Sequence, residues 1–281
     1  MLLVPTLSDI FDSIYRLTMK NHIFSAAFLV TSSLAAKPQL TVQVRDGKFD
    51  EFEGLEPSFT WETKGTSGEY ELECGIDIAA RPTTDLASLP KSIWGKAQRE
   101  YKGWDLSGRA EVQADVPNQA KVELEGDNEE EDVNVKIFAS AGKKMSVARV
   151  EATKGFESGD ARVTVNPRYD VDHEDGDVIL GWAKDKTEIE LIADRDNQSI
   201  KISQQLDDDN RVAPMYASNG TVAVEWERQL GEDNSVLTKI TPNECIEVEW
   251  HDHDWTANVE VPIEGTKVGG PAVTIKREVK F

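Results

Sequence analysis

The stretch "CIEVEWHDHDWTANVEVPI" (residues 245–263) decides the fold class, because it contains two strand patterns and the turn between them. Up to Trp250 every second side chain is apolar, and the same period resumes from Trp255 to Ile263. A period of two residues is that of a strand with one apolar and one polar face. We therefore predict an antiparallel hairpin connected by an acidic turn.

The same period recurs along most of the chain. It appears in "VNVKIF" (133–138), "TEIELIA" (187–193) and "TVAVEWER" (221–228). Turn signals such as "EGDN" (125–128) and "LGEDN" (230–234) separate the runs. The pattern predicts an antiparallel all-β protein in which most strands bury one face.

One segment departs from this pattern. The stretch "DLASLPKSIWGKAQREYKG" (85–103) is rich in residues that favour helices. We expect a short helix or a long connection near 85–103.

The chain also shows an internal repeat. The segments 117–156 and 242–281 both run 39 positions from a proline to a phenylalanine and share short strand motifs. We predict two tandem units, 37–159 and 160–281, the second with a C-terminal tail. Each unit would be an antiparallel meander or sandwich-like sheet, and a pseudo-two-fold axis would relate them.

The first 36 residues differ in composition from the rest. Residues 19–36, "MKNHIFSAAFLVTSSLAA", have a basic start, a short apolar core and small residues at their end. This is the pattern of a targeting leader. We expect residues 1–36 to be a signal or plastid-type leader that is removed.

Charge and cysteine content exclude some classes of function. The formal net charge of −21 disfavours binding to nucleic acid or to anionic lipid headgroups. The two cysteines, Cys74 and Cys245, form no zinc-type spacing. Cys74 alternates with apolar residues and is predicted to be buried. The sequence does not decide whether Cys74 and Cys245 form a disulfide.

The acidic turn contains the residues that most resemble a site. His251, Asp252 and His253 bring together imidazole and carboxylate groups, which are ligands for zinc, copper or nickel. The other predicted unit has "GDNEEED" (126–132) at the corresponding place, with no imidazole. We therefore interpret the segment as a solvated turn and keep these three residues as weak metal candidates.

No catalytic motif or nucleotide-binding loop is present. The chain is accordingly predicted not to be an enzyme and to need no cofactor.

A leader followed by an acidic, duplicated β-meander resembles the pyrenoid shell proteins of diatoms. The residues that carry the resemblance are the paired "PN…V-E…V-x-V…KF" blocks ending at Phe156 and Phe281, together with "ARVTVNPRYDV" (161–171). The resemblance covers most of residues 40–281 and is one of architecture more than of motif.

The resemblance implies a structural protein of the plastid stroma that tiles into a sheet around the Rubisco matrix of the pyrenoid and supports CO2 concentration. Its partners would be further copies of itself, as a sheet or tube, and Rubisco. Nucleic acid and a membrane span are not expected. The C-terminal stretch 265–281 is the predicted interface element, because an exposed strand can add to a neighbouring sheet.

Two alternatives stay open. Successive hairpins of strands about 8–10 residues long would also suit an outer-envelope or outer-membrane β-barrel channel, although short strands and acidic loops argue against it. A lumenal or secreted β-sandwich that binds carbohydrate or metal is the other, with Trp104, Trp250 or Trp255 stacking on sugar rings.

Overall fold

The structure is a computed structural model that describes residues 37–45, 57–80, 88–265 and 267–280. These residues form nineteen β-strands and no α-helix. The strands are β1 Lys37–Arg45, β2 Ser58–Ser67, β3 Tyr70–Ala79, β4 Pro90–Tyr101, β5 Trp104–Gln113, β6 Ala120–Asn128, β7 Val133–Ala141, β8 Met145–Ser158, β9 Ala161–Asp170, β10 Asp175–Lys184, β11 Thr187–Asp194, β12 Gln198–Gln205, β13 Asn210–Ala217, β14 Val222–Gly231, β15 Asn234–Thr241, β16 Cys245–Asp252, β17 Trp255–Glu264, β18 Lys267–Val268 and β19 Ala272–Lys280. Within the described ranges, no helix is long and apolar enough to cross a membrane.

The strands close into a barrel. From β1 to β17 each strand pairs antiparallel with the next, and β17 then pairs with β19 across the two-residue β18. The ring closes at β1, where Leu40 lies opposite Phe59 of β2 on one side and opposite Val279 of β19 on the other. All nineteen described strands except β18 therefore form one ring of eighteen, with no free sheet edge.

Every strand of the ring has one apolar and one polar face. Residues directly opposite each other in an antiparallel pair share a face, so the assignment can be followed from strand to strand. Val259 of β17 lies opposite Val248 of β16 and opposite Val273 of β19. When directly opposed residues are followed from strand to strand around the whole ring, they lead back to the apolar residues of β17. The apolar face is therefore continuous.

The stagger of the strands decides which face is outside. Strands of L-residues twist in one hand, so those of a barrel lean to the right as they rise when viewed from outside. Leu206, of the apolar set, donates its N–H to the carbonyl oxygen of Asn210 (2.8 Å). Seen from the apolar face, this bond puts β13 to the right of an ascending β12. Directly opposed residues, followed from strand to strand in that direction around the whole ring, lead back to β12 about 20 residues earlier in the chain. Strands that lean to the right produce this downward offset when the barrel is viewed from outside. The apolar face is therefore the outer face, and the polar face lines the lumen.

The strand number and stagger set the size of the barrel. Eighteen strands about 4.8 Å apart and tilted by about 37° make a backbone cylinder roughly 35 Å across. Strands of eight to ten residues at this tilt span about 25 Å along the barrel axis. Barrels of this strand number leave room for an aqueous channel.

The two ends of the barrel are distinct. Strand β1 begins and β19 ends at the same end, which we call the terminal rim; the opposite end is the distal rim. The connections at the terminal rim are tight turns. Lys102 and Gly103, for example, have φ values of 53° and 79°, the left-handed pair that a type I′ hairpin requires. The longer connection 114–119 leaves from the distal rim.

The best-shielded apolar cluster lies on the outer face of neighbouring strands β6 and β7. Val122 and Leu124 are 6% and 5% exposed and pack against Ile137 and Ala139. Their directly opposed positions make this contact a consequence of the strand register.

The prediction of two tandem sheet units is wrong, because the strands of 37–159 and those of 160–281 form one ring. They meet at two seams, where β8 pairs with β9 and where β1 pairs with β19. The predicted C-terminal tail is part of the wall: β19 pairs on both sides and closes the barrel. The predicted leader, 1–36, lies outside the described residues.

The prediction of a helix or long connection near 85–103 is also wrong for the described residues from Ser88 onward. Strand β4 occupies Pro90–Tyr101. Pairing with β3 and β5 on both sides supplies every ladder bond that a helix would have supplied, and this outweighs the helix propensity of the sequence.

Candidate functional site

The inner face of the barrel is the candidate site, because it concentrates the charged side chains of the strands. In β6 the outward residues Val122 and Leu124 alternate with the inward residues Glu123, Glu125 and Asp127. Around the described ring, inward carboxylates outnumber inward basic groups by about two to one. The wall that lines the lumen is therefore compatible with water and carries a surplus of negative charge.

Many inward charges pair across neighbouring strands. Lys201 of β12 reaches across β13 to Glu225 of β14 at 2.5 Å. Arg211 of β13 contacts Glu188 of β11 at 2.8 Å and Glu227 of β14 at 3.6 Å. Partly solvated pairs of this kind contribute about 0–1 kcal/mol each. Their main effect is to hold long side chains flat along the wall.

A recess interrupts the inner wall between β9 and β13. It has a volume of about 210 Å³, and Gly181 and Ser203 are among the residues that line it. Arg162, Glu190 and Lys201 surround it. Ligand pockets usually have volumes of about 300–1,000 Å³, so we interpret the recess as a dent in the lining.

One tryptophan faces the lumen and lies against the wall. Trp94 is 8% exposed, because its ring covers Gly75 on the neighbouring strand. The guanidinium carbon of Arg109 lies 4.3 Å from the ring centroid on the other side. A glycine is required at position 75, since a Cβ there would come within 2.5 Å of the indole. The indole therefore does not project into the channel.

The outer face carries the large exposed apolar side chains. Trp61 and Phe156 are both 50% exposed, and Leu180 is 40% exposed. A soluble monomer rarely exposes a contiguous apolar surface of this extent. Aromatic side chains stand near both ends of this band. Those near the terminal rim are Tyr70, Tyr101, Trp104, Phe156, Trp182, Trp250 and Trp255, and those near the distal rim are Phe59, Tyr169 and Tyr216.

The structure separates the weak metal candidates. His251 faces the lumen, where Nε2 lies 2.5 Å from Glu249 Oε1. Asp252 is the last residue of β16 and faces outward, while His253 lies in the following turn with φ 50°. Asp252 Oδ1 and His253 Nδ1 are 2.8 Å apart. Within the described ranges, no group of three or more His, Cys, Asp or Glu side chains is placed to hold a metal.

The strand faces also place the other residues that the sequence singled out. Trp104, Trp250 and Trp255 all face outward, and Trp250 donates its indole N–H to Asn234 at 3.0 Å. The β-sandwich alternative is wrong, because there is one closed sheet. Cys74 faces outward and Cys245 inward, on strands far apart in the ring, and both thiols are free.

The predicted function as a self-assembling shell around Rubisco, located in the plastid stroma, is wrong. A sheet that extends by pairing with its neighbours needs free edges, and the described barrel has none. Assembly into a sheet or tube around Rubisco therefore loses its structural basis. The expectation of no membrane span is also wrong, since the apolar face is the outer surface of the barrel and not a core.

Sequence reasoning missed the inward carboxylates and the outward aromatic residues as functional sets. Both follow the alternation that identified the strands. The signal that could have found them is the position of the aromatic residues, which cluster near strand ends on the apolar face.

Comparisons with known proteins give a likeness only among solved structures. No family model matches the chain, and no curated protein matches it. A triple mutant of the Rhodopseudomonas blastica porin is 7% identical, with a TM-score of 0.45 over 88% of this chain and 100% of the porin chain. A second mutant of that porin gives 7% identity, the same coverage and a TM-score of 0.47. The evidence for the barrel is the pairing of its own strands.

Proposed function

We propose that this chain forms a water-filled β-barrel channel in an outer membrane or outer envelope, with a preference for cations. The observation that carries the proposal is the closed ring of eighteen strands, apolar outside and charged inside. In hydrocarbon every backbone N–H and C=O group needs a partner from the protein, and a sheet meets this condition only when it is closed.

The dimensions of the wall fit a bilayer. Outward apolar bands of membrane barrels are about 25 Å tall and are flanked by aromatic residues at both interfaces. The strands span a similar height, and aromatic side chains stand near both rims. Contact with lipid therefore explains the apolar band, and no soluble partner is needed to cover it.

The preference for cations follows from the inner wall. Carboxylates in surplus along a narrow aqueous path raise the local concentration of cations and lower that of anions. Pairs of carboxylates even face each other directly, as at Asp105 and Asp127 and at Glu247 and Glu260. Such pairs are costly unless water or mobile cations screen them.

The experiment is electrical recording of the full-length chain in planar lipid bilayers. We expect stepwise conductance increases after addition of the detergent-folded chain, and none with the same chain after heat denaturation. Under a potassium chloride gradient, the reversal potential should have the sign of a potassium-permeable pore. Folded protein that never produces steps would overturn the channel, and a reversal potential of chloride sign would overturn the cation preference.

A further inference from the structure

The outward charged residues of the strands are almost all basic. Five basic residues and one acidic residue, Asp252, stand on the outer face of the described strands. We call the basic ones the basic rim: Arg99, Lys154, Lys184, Arg228 and Arg277. The formal net charge of −21 predicts the opposite bias. The acidic surplus lies on the inner face and in turns, so the outer surface carries a net positive charge although the chain as a whole is acidic.

All five residues lie towards the terminal rim. Lys184 is the last residue of β10, and Arg228 lies opposite Asn210, the first residue of β13. Arg277 lies opposite Trp255 and Lys154 opposite Val133, each of which begins its strand. Arg99 is two residues from the end of β4. Their even distribution around the ring makes the basic rim a belt and not a local patch.

The neighbours of the basic rim are those of an interfacial residue. The guanidinium carbon of Arg99 lies 5.2 Å from the ring centroid of Tyr70 and 4.9 Å from that of Tyr101. Arg277 lies 4.9 Å from the ring centroid of Trp255. Aromatic rings prefer the headgroup level of a bilayer, and long basic side chains extend their charge towards it. The basic rim is therefore at headgroup depth.

Among the described residues, two members of the basic rim pair with a carboxylate and three do not. Lys184 pairs with Asp160 at 2.6 Å, and Lys154 pairs with Glu131 at 3.7 Å. Arg99, Arg228 and Arg277 have no carboxylate within 4 Å among the described residues. Arg99 uses one of its N–H groups to donate a hydrogen bond to the Tyr70 hydroxyl at 3.1 Å, and its guanidinium group has further N–H donors. A guanidinium group presents a planar fork that matches the oxygens of a phosphate. These three arginines can each receive a lipid phosphate.

The distal rim lacks this feature. Its outward residues near strand ends include Phe59, Tyr169 and Tyr216, and no charged residue of a described strand faces outward there. The two leaflets would thus meet different surfaces, aromatic alone on one side and aromatic with basic on the other.

From this asymmetry we infer that the basic rim binds the phosphate groups of anionic phospholipids in the leaflet at the terminal rim. The inference rests on the proposed membrane location and adds the partner and its leaflet. Basic residues near a surface of anionic lipid gain electrostatic free energy that salt screens, so the preference should weaken at high ionic strength.

The experiment measures boundary lipid by electron spin resonance of the full chain in phosphatidylcholine vesicles. Spin-labelled phosphatidylglycerol and spin-labelled phosphatidylcholine are compared as probes, at low and high salt. We expect the phosphatidylglycerol probe to associate about two- to threefold more strongly at low salt, and less so at high salt. The triple variant Arg99→Gln, Arg228→Gln, Arg277→Gln should bring the ratio close to one.

A matched control removes the same charge from the inner wall: Lys64→Gln, Lys201→Gln, Lys239→Gln. This variant should keep the preference of the unmodified chain, because lumenal lysines do not face lipid. Should the triple arginine variant fail to fold, the single variant Arg277→Gln and the salt dependence provide the test. Equal association of both probes with the unmodified chain, or an equal loss in the lumenal control, would overturn the inference. Failure of the unmodified chain to float with vesicles would instead overturn the membrane proposal itself.

Discussion

The inner and outer walls of the barrel are built from the same strands and differ in nearly every property. In β10 the neighbours Ile179 and Leu180 are both aliphatic, yet Ile179 faces the lumen opposite Ile192, while Leu180 faces outward opposite Leu191. Most charged residues of these strands face inward, and most outward positions are apolar. The molecule thus has its apolar surface outside and its polar surface inside, the reverse of a soluble domain.

This reversal shows what the fold needs from its surroundings. The closed ladder of hydrogen bonds satisfies the backbone, so neither wall has to supply a backbone partner. The outer wall is stable only where apolar side chains meet an apolar medium, and the inner wall only where carboxylates meet water. Two different solvents on the two sides of one sheet explain a sequence that alternates so regularly.

The largest expected effect comes from placing a charge on the outer wall. Leu180→Lys puts an ammonium group on the outer face near the middle of β10. Lysine near the middle of a bilayer costs about 2–4 kcal/mol. We expect the free energy of unfolding, measured by urea denaturation of the chain in phosphatidylcholine vesicles, to fall by that amount.

The matched control is Ile179→Lys, one residue away on the inner wall. Its ammonium group would meet water and inward carboxylates, so the change should stay under about 1 kcal/mol. An equal loss of unfolding free energy in the two variants would contradict the assignment of Leu180 to the outer wall and Ile179 to the inner wall.

A smaller effect should separate two glycines on neighbouring strands. Gly75 faces the lumen beneath Trp94, and Gly75→Ala would force the indole to move because its Cβ would lie 2.5 Å from the ring. Overpacking of this kind costs about 1–3 kcal/mol. Gly95 faces outward, and a Cβ there has its nearest neighbour, the Glu73 carbonyl oxygen, at 3.9 Å.

We therefore expect Gly75→Ala to lower the free energy of unfolding, and Gly95→Ala to leave it within about 0.5 kcal/mol. The same urea denaturation measures both, with tryptophan emission reporting the movement of Trp94. A Gly75→Ala variant as stable as the unmodified chain would mean that the indole does not lie against the wall.

The alternating pattern was sufficient to predict strands, hairpins and the all-β class. The runs at 187–193, 221–228 and 255–263 fall within or across strands of the structure. Alternation cannot tell which medium lies on the apolar side, because a sandwich core and a lipid bilayer require the same period. The alternating pattern also could not predict that the sheet closes into a barrel, since the pairing of β1 with β19 joins residues at opposite ends of the chain.

The two local errors have physical causes. The segment 85–103 contains helix-favouring residues, and the outward Arg99 breaks its apolar alternation, so the sequence alone did not show a strand. His251 and His253 would share a face only if β16 continued, but the strand ends at Asp252 and the chain turns at His253. A strand end of this kind depends on the register with β17, which single-sequence reasoning does not provide.

The smallest expected effect concerns the one outward carboxylate of the described strands, Asp252. The adjacent Asp252 carboxylate accepts a hydrogen bond from His253, and this raises the pKa of that imidazole above 6.5. A raised pKa means that the charged imidazole stabilises the folded state. The contribution is complete below the pKa of the unfolded chain and is lost as pH rises through the pKa of the folded chain.

Nuclear magnetic resonance titration of the imidazoles tests this pairing. We expect His253 to titrate above 6.5, and Asp252→Asn to bring its pKa back towards that value. His173, whose pKa is raised by the separate Asp170 carboxylate, should be unchanged in that variant and serves as the internal control. A shift of both histidines in Asp252→Asn would mean that the general acidic field raises their pKa. An unshifted His253 would mean that the outer wall tolerates an uncompensated carboxylate at its rim, and the contrast between the two walls would then be weaker there than along the strands.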